Sequence, residues 1–247
     1  MQLAVLGTAG YHPNETRHTA CFMLPEVGVV LDAGSGFFRV GPRLVTDELD
    51  IFLTHTHLDH VFGLTFLFDV LCGKEMKRVD VHGEAAKIAA VRDHLLNELL
   101  FPVALPCEYR VLDGPVSLAK GGVLSYFPLA HPGETVGFRL DWPGHSLAYV
   151  TDTTAEVKAN YVENIRGVDL LIHECNFTDE HRDQAILTGH SHTTPVAQVA
   201  KRAQVGELLL VHLNPISGND HDPVDLEVAR AIFPKTNLAR DNTVVEF

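Results

Sequence analysis

Six consecutive residues carry four side chains that can bind metal ions. The run is His55-Thr56-His57-Leu58-Asp59-His60. If His55 and His57 continue a strand, their side chains point to the same side and can share one ion. A turn after them can bring Asp59 and His60 to a second position beside it. Imidazole nitrogens and carboxylate oxygens are ligands that suit zinc, iron and manganese, so the run indicates a site for two divalent cations.

Other candidate side chains follow short apolar runs of the kind that form buried strands. Residues 50–54 precede His55, and four further apolar runs each end in a polar group. Those polar groups are His131, Asp152, the pair His173-Glu174, and His212. Ligands in sheet-based folds gather beyond strand ends, where the backbone holds side chains rigidly. We therefore expect five strand ends to converge on one site.

The order of these residues resembles that of metallo-β-lactamase-fold hydrolases. The motif at 55–60, then a lone His131, a lone Asp152 and a last His212, is the pattern of the binuclear members. Within that superfamily the chain is similar to the phosphodiesterase branch around ribonuclease Z. The similarity extends from residue 3 to about residue 240. The segments that carry it are residues 6–10, 17–20, 31–34, 131–139, 150–153, 171–174 and 189–191.

The resemblance implies an α/β (α+β) fold, with one domain over residues 1–247. Its architecture would be a four-layer αββα sandwich, in which two mixed β-sheets pack face to face with helices outside. The sequence accommodates this order, because short β runs with Gly/Pro turns fill residues 1–54 and 108–152.

Helical periodicity appears at residues 61–71, 83–100 and 195–204. In the last of these, Thr194 is expected to be the N-cap and Pro195 the first helical residue. Residues 100–106 form an apolar segment with two prolines. We expect this segment either to cover the site as a lid or to pack into the core.

The resemblance also implies the roles of the site residues. One cation would be held by His55, His57 and His131, the other by Asp59, His60 and His212, and Asp152 would bridge them. His190 precedes His212 by 22 positions, the family's spacing for a catalytic histidine that is not a ligand. Glu174 occupies the family's acidic position beside it. The implied catalytic residues are therefore Asp59, Glu174 and His190, with His192 as the alternative proton donor.

Two further residues are expected to support the ligands from behind. Asp32 can accept a hydrogen bond from a ligating imidazole, or it can cap a turn. His173 is expected behind the ligands or in the core. The other histidines are expected to be surface or loop groups, with His18 in a loop that could reach the site: His12, His18, His82, His94, His145, His181 and His221.

Two departures from ribonuclease Z argue against precursor tRNA as the substrate. That family has a tRNA-gripping arm between the lone His and the lone Asp. Here 21 positions separate them, with room only for a hairpin through residues 141–144. The last motif also differs, because it reads His212-Leu-Asn-Pro-Ile-Ser217. With 19 Lys+Arg against 32 Asp+Glu, the net charge is −13 and no basic stripe is present for a long nucleic acid.

We expect a binuclear hydrolase that cleaves a small anionic phosphodiester, nucleotide-like or cyclic, through a metal-bridging hydroxide. Two Zn²⁺ ions are the expected cofactors, with Mn²⁺ or Fe²⁺ as alternatives. Hydrolysis of carboxylic esters, lactones or thioesters would use the same metal site, and a ribonuclease Z-like RNA endonuclease is a further alternative. The remaining alternative is a metal-binding protein without activity.

The chain shows no apolar stretch of 18 residues, and residues 1–6 begin a strand rather than a cleavable signal. We expect a cytoplasmic protein without a membrane partner, with a homodimer as the possible assembly. The four cysteines form no Cys-x-x-Cys pair, so reduced and mostly buried thiols are expected.

Overall fold

The computed structural model describes residues 1–216 and 223–247, and strands dominate it. Within these residues the first sheet consists of β1 (Gln2–Gly7), β2 (Cys21–Leu24), β3 (Val29–Leu31), β4 (Glu48–Phe52), β5 (Arg78–Gly83), β6 (Glu108–Val111) and β14 (Thr243–Glu246). The second consists of β7 (Val116–Leu118), β8 (Gly122–Leu129), β9 (Thr135–Trp142), β10 (His145–Val150), β11 (Leu170–Glu174), β12 (Glu207–Val211) and β13 (Thr236–Leu238).

Each sheet joins an antiparallel half to a parallel half. The first has the order β14-β1-β2-β3-β4-β5-β6, and pairing is parallel from β3 to β6. The second has the order β13-β12-β11-β10-β9-β8-β7, and pairing is parallel from β10 to β13. Parallel strands require crossover connections, which place helices on the sheet faces and leave the carboxyl ends of the strands at one edge.

Helices cover the outer face of both sheets. They are α1 (Leu58–Val61), α2 (Leu67–Val70), α3 (Ala85–Ala90), α4 (Tyr161–Asn164), α5 (Arg182–Thr188), α6 (Thr193–Ala203) and α7 (Leu226–Ile232). Alternate residues of each strand serve different layers. Leu170 and Ile172 of β11 pack between the sheets, whereas Leu171 packs against the helices. The expected four-layer αββα sandwich of two mixed sheets is therefore confirmed.

The predicted strands are confirmed, and so is the hairpin through residues 141–144, where β9 ends at Trp142 and β10 begins at His145. Two of the three predicted helical stretches, residues 61–71 and 83–100, are divided into shorter helices and turns. Residues 61–71 contain the end of α1, a 3₁₀ turn at Phe62–Phe66, and α2. Residues 83–100 contain α3 and a π-helical turn at Val91–Leu95.

The predicted start of α6 was wrong. The helix begins at Thr193, with His192 at the N-cap position. The backbone N–H of Thr194 donates to the Asp179 carboxylate at 2.9 Å. A carboxylate from another segment therefore accepts a hydrogen bond from an otherwise unpaired N–H of the first turn, and the local sequence gives no sign of this contact.

Residues 100–106 contribute to the outer core of the first sheet. Leu105 is buried there, and the Phe101 ring stacks on Phe68 with centroids 6.3 Å apart. Leu100 and Val103 are exposed. Of the two expected roles of this segment, core packing applies to Phe101 and Leu105.

The expectation of a surface or loop position was wrong for His82. It is buried on β5, where its ring stacks on Phe52 at 4.4 Å and its Nε2 lies 2.9 Å from Asp50 Oδ1. The Asp50 carboxylate on the adjacent strand satisfies the imidazole, which allows its burial. His221 and Ser217 lie outside the described residues.

The cysteines are free thiols, as expected. Cys21 and Cys175 are buried, Cys107 is partly exposed, and Cys72 is exposed, so burial holds for only half of them. Among the residues that the structure describes, no helix has the length and apolar character needed to cross a bilayer.

Candidate active site

The sequence-predicted site residues lie together at one edge of the two sheets, where strands end. They are His55, His57, Asp59 and His60 after β4, His131 after β8, Asp152 after β10, Glu174 at the end of β11, and His212 after β12. Because β10, β11 and β12 are parallel neighbours, their carboxyl ends fall at the same edge.

A first group of candidate ligands contains His55, His57, His131 and Asp152, whose ligand atoms all lie within 4.8 Å of one another. His131 Nε2 is 3.4 Å from His57 Nδ1 and 3.7 Å from Asp152 Oδ2. His55 Nε2 is 3.6 Å from the same carboxylate oxygen. Three imidazoles and one carboxylate that converge in this way could hold one cation.

A second group contains Asp59, His60 and His212. Asp59 Oδ2 is 3.2 Å from His212 Nε2 and 3.5 Å from His60 Nε2. The two imidazole nitrogens are themselves 3.2 Å apart. The three side chains therefore point at a common position, which could hold a second cation.

Asp152 lies between the two groups. Its Oδ1 is 3.3 Å from His212 Nε2 and 3.5 Å from His60 Nε2, whereas its Oδ2 faces His55 and His131. The side chain is buried, and its Oδ1 also accepts a hydrogen bond from the Thr151 hydroxyl, which fixes the orientation of the carboxylate. One carboxylate in this position can be shared by two cations.

The protonation states of the first group fit metal binding. Burial lowers the pKa of His55 well below its ordinary value, and it also lowers the pKa of His57 and of His131. His55 Nε2 is buried and has no hydrogen-bond partner among the described residues. Neutral imidazoles with a free nitrogen are the form that binds metals. The residues present therefore fit a divalent cation.

The second group attracts positive charge. Burial lowers the pKa of His60, but the carboxylates of Asp152, Asp59 and Asp32 outweigh burial and hold its pKa well above the ordinary value. Burial also opposes ionisation of Asp152, yet the charges of the facing histidines hold its pKa well below the usual range. Three carboxylates around one buried imidazole make a position that a divalent cation fits.

Asp32 holds His60 from behind, as expected of a residue that supports a ligand. His60 Nδ1 lies 2.8 Å from Asp32 Oδ2, which leaves His60 Nε2 for the second group. Asp32 also accepts hydrogen bonds from the Thr54 backbone N–H at 2.8 Å and from the Tyr149 hydroxyl at 2.9 Å. These bonds fix the carboxylate and therefore the orientation of the imidazole.

Sequence reasoning missed the residues that position His212. Asn176 Nδ2 donates to the His212 backbone carbonyl at 2.9 Å and lies 3.3 Å from His212 Nδ1. A Cβ on Gly10 would lie 2.4 Å from His212 Cε1, so only glycine leaves room for the ring. Asn176 belongs to no recognisable motif. Its position two residues after Glu174, at a strand end predicted to reach the site, is the sequence signal that points to it.

His190 and Glu174 form a hydrogen-bonded pair next to both groups. His190 Nδ1 is 3.0 Å from Glu174 Oε1. Glu174 is buried and also accepts the backbone N–H groups of Thr153 at 2.7 Å and Ser191 at 3.1 Å. Burial lowers the pKa of His190, but the charge and hydrogen bond of Glu174 outweigh this effect and raise the pKa to about 9. The contact with Glu174 therefore favours the protonated form of the ring.

The two candidate proton donors have different surroundings. The His190 ring centroid is 5.0 Å from that of His131 and 5.3 Å from that of His212, so it borders both ligand groups. His192 instead places Nδ1 2.6 Å from Asp179 Oδ1 at the start of α6. Of the two, the structure brings His190 to the site.

Two other histidines lie outside the ligand groups. His173 is buried, with Nε2 3.0 Å from the Tyr161 hydroxyl and Nδ1 2.7 Å from the Glu174 backbone carbonyl. His18 Nδ1 lies 3.1 Å from Ser35 Oγ in the loop that follows β1. Both side chains contribute to packing and loop structure.

Two face-to-face mixed sheets, with histidine and aspartate groups at the strand ends, define a metal-dependent hydrolase of the metallo-β-lactamase fold. Residues 28–213 match the family model described as "Beta-lactamase superfamily domain". Ribonuclease Z from Synechococcus sp. (strain CC9605) is 32% identical, and the alignment covers 98% of this chain and 96% of that protein. The chain therefore belongs to the beta-lactamase superfamily and, within it, to the ribonuclease Z family.

Two solved structures share the fold along nearly their whole length. The metallo-beta-lactamase fold protein YhfI from Bacillus subtilis has a TM-score of 0.78 and 23% identity, with 99% of each chain covered. The short form of human tRNase Z has a TM-score of 0.77 and 23% identity, with 100% of this chain and 99% of that chain covered. The Synechococcus alignment spans 309 positions against 247 residues here, so that relative carries segments this chain lacks.

Proposed function

We propose that the protein is a binuclear phosphodiesterase that acts on small nucleotide-like or cyclic phosphodiesters. The observation that carries the proposal is the position of Asp152. Its two carboxylate oxygens face two separate groups of imidazoles, and the His190–Glu174 pair borders both groups. A shared carboxylate suits a pair of cations, and a protonated imidazole suits an alkoxide, which leaves poorly without a proton.

The cations would be bound by the two groups already described. One would be held by His55, His57 and His131, the other by Asp59, His60 and His212, and Asp152 would be shared. When bound, two divalent cations supply Lewis acidity toward a phosphoryl oxygen and lower the pKa of water at the site. Imidazole with carboxylate favours Zn²⁺, with Mn²⁺ or Fe²⁺ as alternatives. Asp59 would also accept a hydrogen bond from the attacking water.

His190 would protonate the leaving group. Its Nδ1 faces Glu174, which leaves Nε2 as the nitrogen that can reach a substrate oxygen. The buried negative charge of Glu174 keeps the ring protonated, and the hydrogen bond fixes its orientation. The proton would pass from Nε2 to the departing alkoxide oxygen, and solvent would restore it.

Two features support a small substrate. The segment between His131 and Asp152 contains only the β9–β10 hairpin, so it adds no arm for a long nucleic acid. The net charge of −13 also opposes binding of a polyanion. Two cations beside two aspartates would still attract a small anion locally.

RNA endonuclease activity is the second candidate, because the Synechococcus relative is named Ribonuclease Z and matches over nearly its whole length. Hydrolysis of carboxylic esters or lactones is less well supported. Its leaving groups need less protonation, so the His190–Glu174 pair would have no task.

The test compares substrates on metal-loaded protein. Bis-p-nitrophenyl phosphate and a 2′,3′-cyclic nucleotide should be hydrolysed, and p-nitrophenyl acetate and a lactone panel should not. A precursor tRNA in the same series tests the second candidate. Preference for the acetate or lactones would contradict the proposal, and preference for the tRNA would replace the small substrate with RNA.

We further propose a cytoplasmic location, which the free thiols support, because disulfides are rare in that compartment. A homodimer is proposed as the assembly, and light scattering of the purified protein would test it.

A further inference from the structure

Tyr11 is an exposed aromatic residue bonded directly to the site. Its backbone N–H donates to Asp59 Oδ2 at 2.7 Å, the same oxygen that lies 3.2 Å from His212 Nε2. The side chain is 74% exposed. The Tyr11 backbone therefore contacts the second ligand group directly. The Tyr11 ring packs edge-on against His12, with centroids 5.2 Å apart, and is otherwise open to solvent.

The backbone at Tyr11 is strained. Its φ is 63°, in the left-handed region where a Cβ is unfavourable and where glycine or asparagine is usual. Burial of the Tyr11 ring does not offset the energetic cost of this backbone conformation, because the side chain is mostly exposed to solvent. Strained, exposed residues beside a reactive centre are typical of functional positions. The hydrogen bond to Asp59 holds this conformation in place.

A second exposed apolar side chain lies on the neighbouring segment that contains Leu213. Ala9 and Leu213 form a parallel bridge, and the Gly10 backbone N–H donates to the Leu213 carbonyl at 3.0 Å. Beyond this bridge the two segments continue to Tyr11 and to Ile216, which is 72% exposed. The bridge therefore joins the segment that carries Tyr11 to the segment that carries His212 and Ile216.

We propose that Tyr11 stacks on the nucleobase of a nucleotide whose phosphate is held at the ligand groups, with Ile216 beside it. Every base has a π-face, and a tyrosine ring offers a rigid surface for it. The inference rests on the proposed function, because it names nucleoside phosphodiesters as the substrates of that site. Tyr11 is thus a specificity-determining residue.

Binding of two nucleotide-like ligands tests the assignment without turnover. AMP and ribose 5-phosphate share a phosphate and a sugar, but only AMP has a base. Calorimetric titration of the Zn²⁺-loaded chain should show tighter binding of AMP. Tyr11→Ala should weaken AMP roughly tenfold or more and leave ribose 5-phosphate unchanged, whereas Tyr11→Phe should retain most of the AMP affinity.

Two further variants complete the design. Glycine adopts the left-handed backbone conformation without steric cost. Tyr11→Gly therefore removes the ring but preserves the loop conformation, even if Tyr11→Ala folds poorly. Val45→Ala is the matched control, because Val45 is 76% exposed and precedes β4, at the end of that strand opposite the site. It should bind both ligands as wild type does.

Equal losses for AMP and ribose 5-phosphate, or unchanged AMP binding in both ring-deleted variants, would overturn the proposal. So would a change of oligomeric state in these variants, which would make the ring a subunit contact. Base-dependent binding without hydrolysis of any phosphodiester would overturn the proposed reaction while the base-binding role stands. Hydrolysis with no preference for AMP in the wild type would overturn the base-binding role alone.

Discussion

Replacement of His190 by alanine tests how the leaving group receives its proton. The ring lies 3.0 Å from the buried Glu174 carboxylate, which raises the pKa of His190 and so favours its protonated form. A positioned general acid contributes roughly 10²- to 10⁴-fold, or about 3–5 kcal/mol of transition-state stabilisation. His190→Ala should lower kcat on an alkyl phosphodiester by this factor, and the content of bound metal should not change.

The assay varies the leaving group. An alkoxide needs a proton as it departs, whereas p-nitrophenolate needs little assistance. The loss in the same variant should therefore be below about tenfold on bis-p-nitrophenyl phosphate. Equal losses on both substrates would refute the acid role and assign His190 to positioning of substrate or metal.

The pH dependence of the reaction adds an independent check. The negative charge of Glu174 raises the pKa of His190, so Glu174→Gln should let that pKa fall toward the ordinary value of about 6.5. If activity requires protonated His190, the decline of kcat on the alkaline side should then begin at a lower pH than in the wild type. An unchanged onset of this decline would contradict the pairing.

His192→Ala is the matched control, because His192 contacts Asp179 rather than Glu174. It should leave the dependence on leaving group intact. A loss confined to alkyl substrates in this variant would transfer the acid role to His192.

Three other substitutions probe the ligand groups and the fold. Asp152→Ala removes both carboxylate oxygens, one of which faces each ligand group. The variant should therefore bind at least one cation fewer, lose activity and melt at a lower temperature. Gly10→Ala places a Cβ 2.4 Å from His212 Cε1 and should weaken the second cation roughly 10- to 100-fold in a competition titration. Asp50→Asn removes one of the carboxylates paired with Arg78, which is 35% exposed, and the charge that faces buried His82. It should cost about 1–3 kcal/mol in urea unfolding at pH 7, below the full cost of a buried pair. Burial opposes ionisation of Asp50, but Arg78 and His82 together outweigh it and lower the pKa of Asp50. The deficit is therefore full above pH of about 4 and shrinks as pH falls through the lowered pKa.

Each of these substitutions has a control elsewhere in the chain. Asp113→Ala removes an exposed carboxylate and should keep both cations. Gly114→Ala meets no atom within 4 Å and should leave metal affinity unchanged. Glu227→Gln breaks an exposed ion pair and should not alter unfolding. Unchanged metal content in Asp152→Ala, unchanged affinity in Gly10→Ala, or a pH-independent deficit in Asp50→Asn would each contradict the corresponding contact.

The strand ends that carry the site could be predicted because the signal is local. A short apolar run that ends in His131 or Asp152 marks both the strand and the side chain beyond it. The positions of His190 and Glu174 came from family spacing, and the structure places them 3.0 Å apart.

Contacts between distant segments could not be predicted in this way. Tyr149 looks like an ordinary core aromatic, yet its hydroxyl donates to Asp32, which directly follows β3 of the other sheet. The cap that Asp179 provides for α6 and the burial of His82 beside Asp50 depend equally on tertiary neighbours. Local residue preferences cannot supply these pairings, because the fold brings the partners together.

Metal stoichiometry decides whether the site is binuclear. The chain should be purified, freed of metal and titrated with Zn²⁺ while bound metal and phosphodiesterase activity are measured on the same samples. Two equivalents should bind tightly, since seven ligands are too many for one tetrahedral ion, and activity should rise until the second equivalent is bound. Saturation of both binding and activity at one equivalent, even with excess Zn²⁺ or Mn²⁺, would contradict a two-metal site.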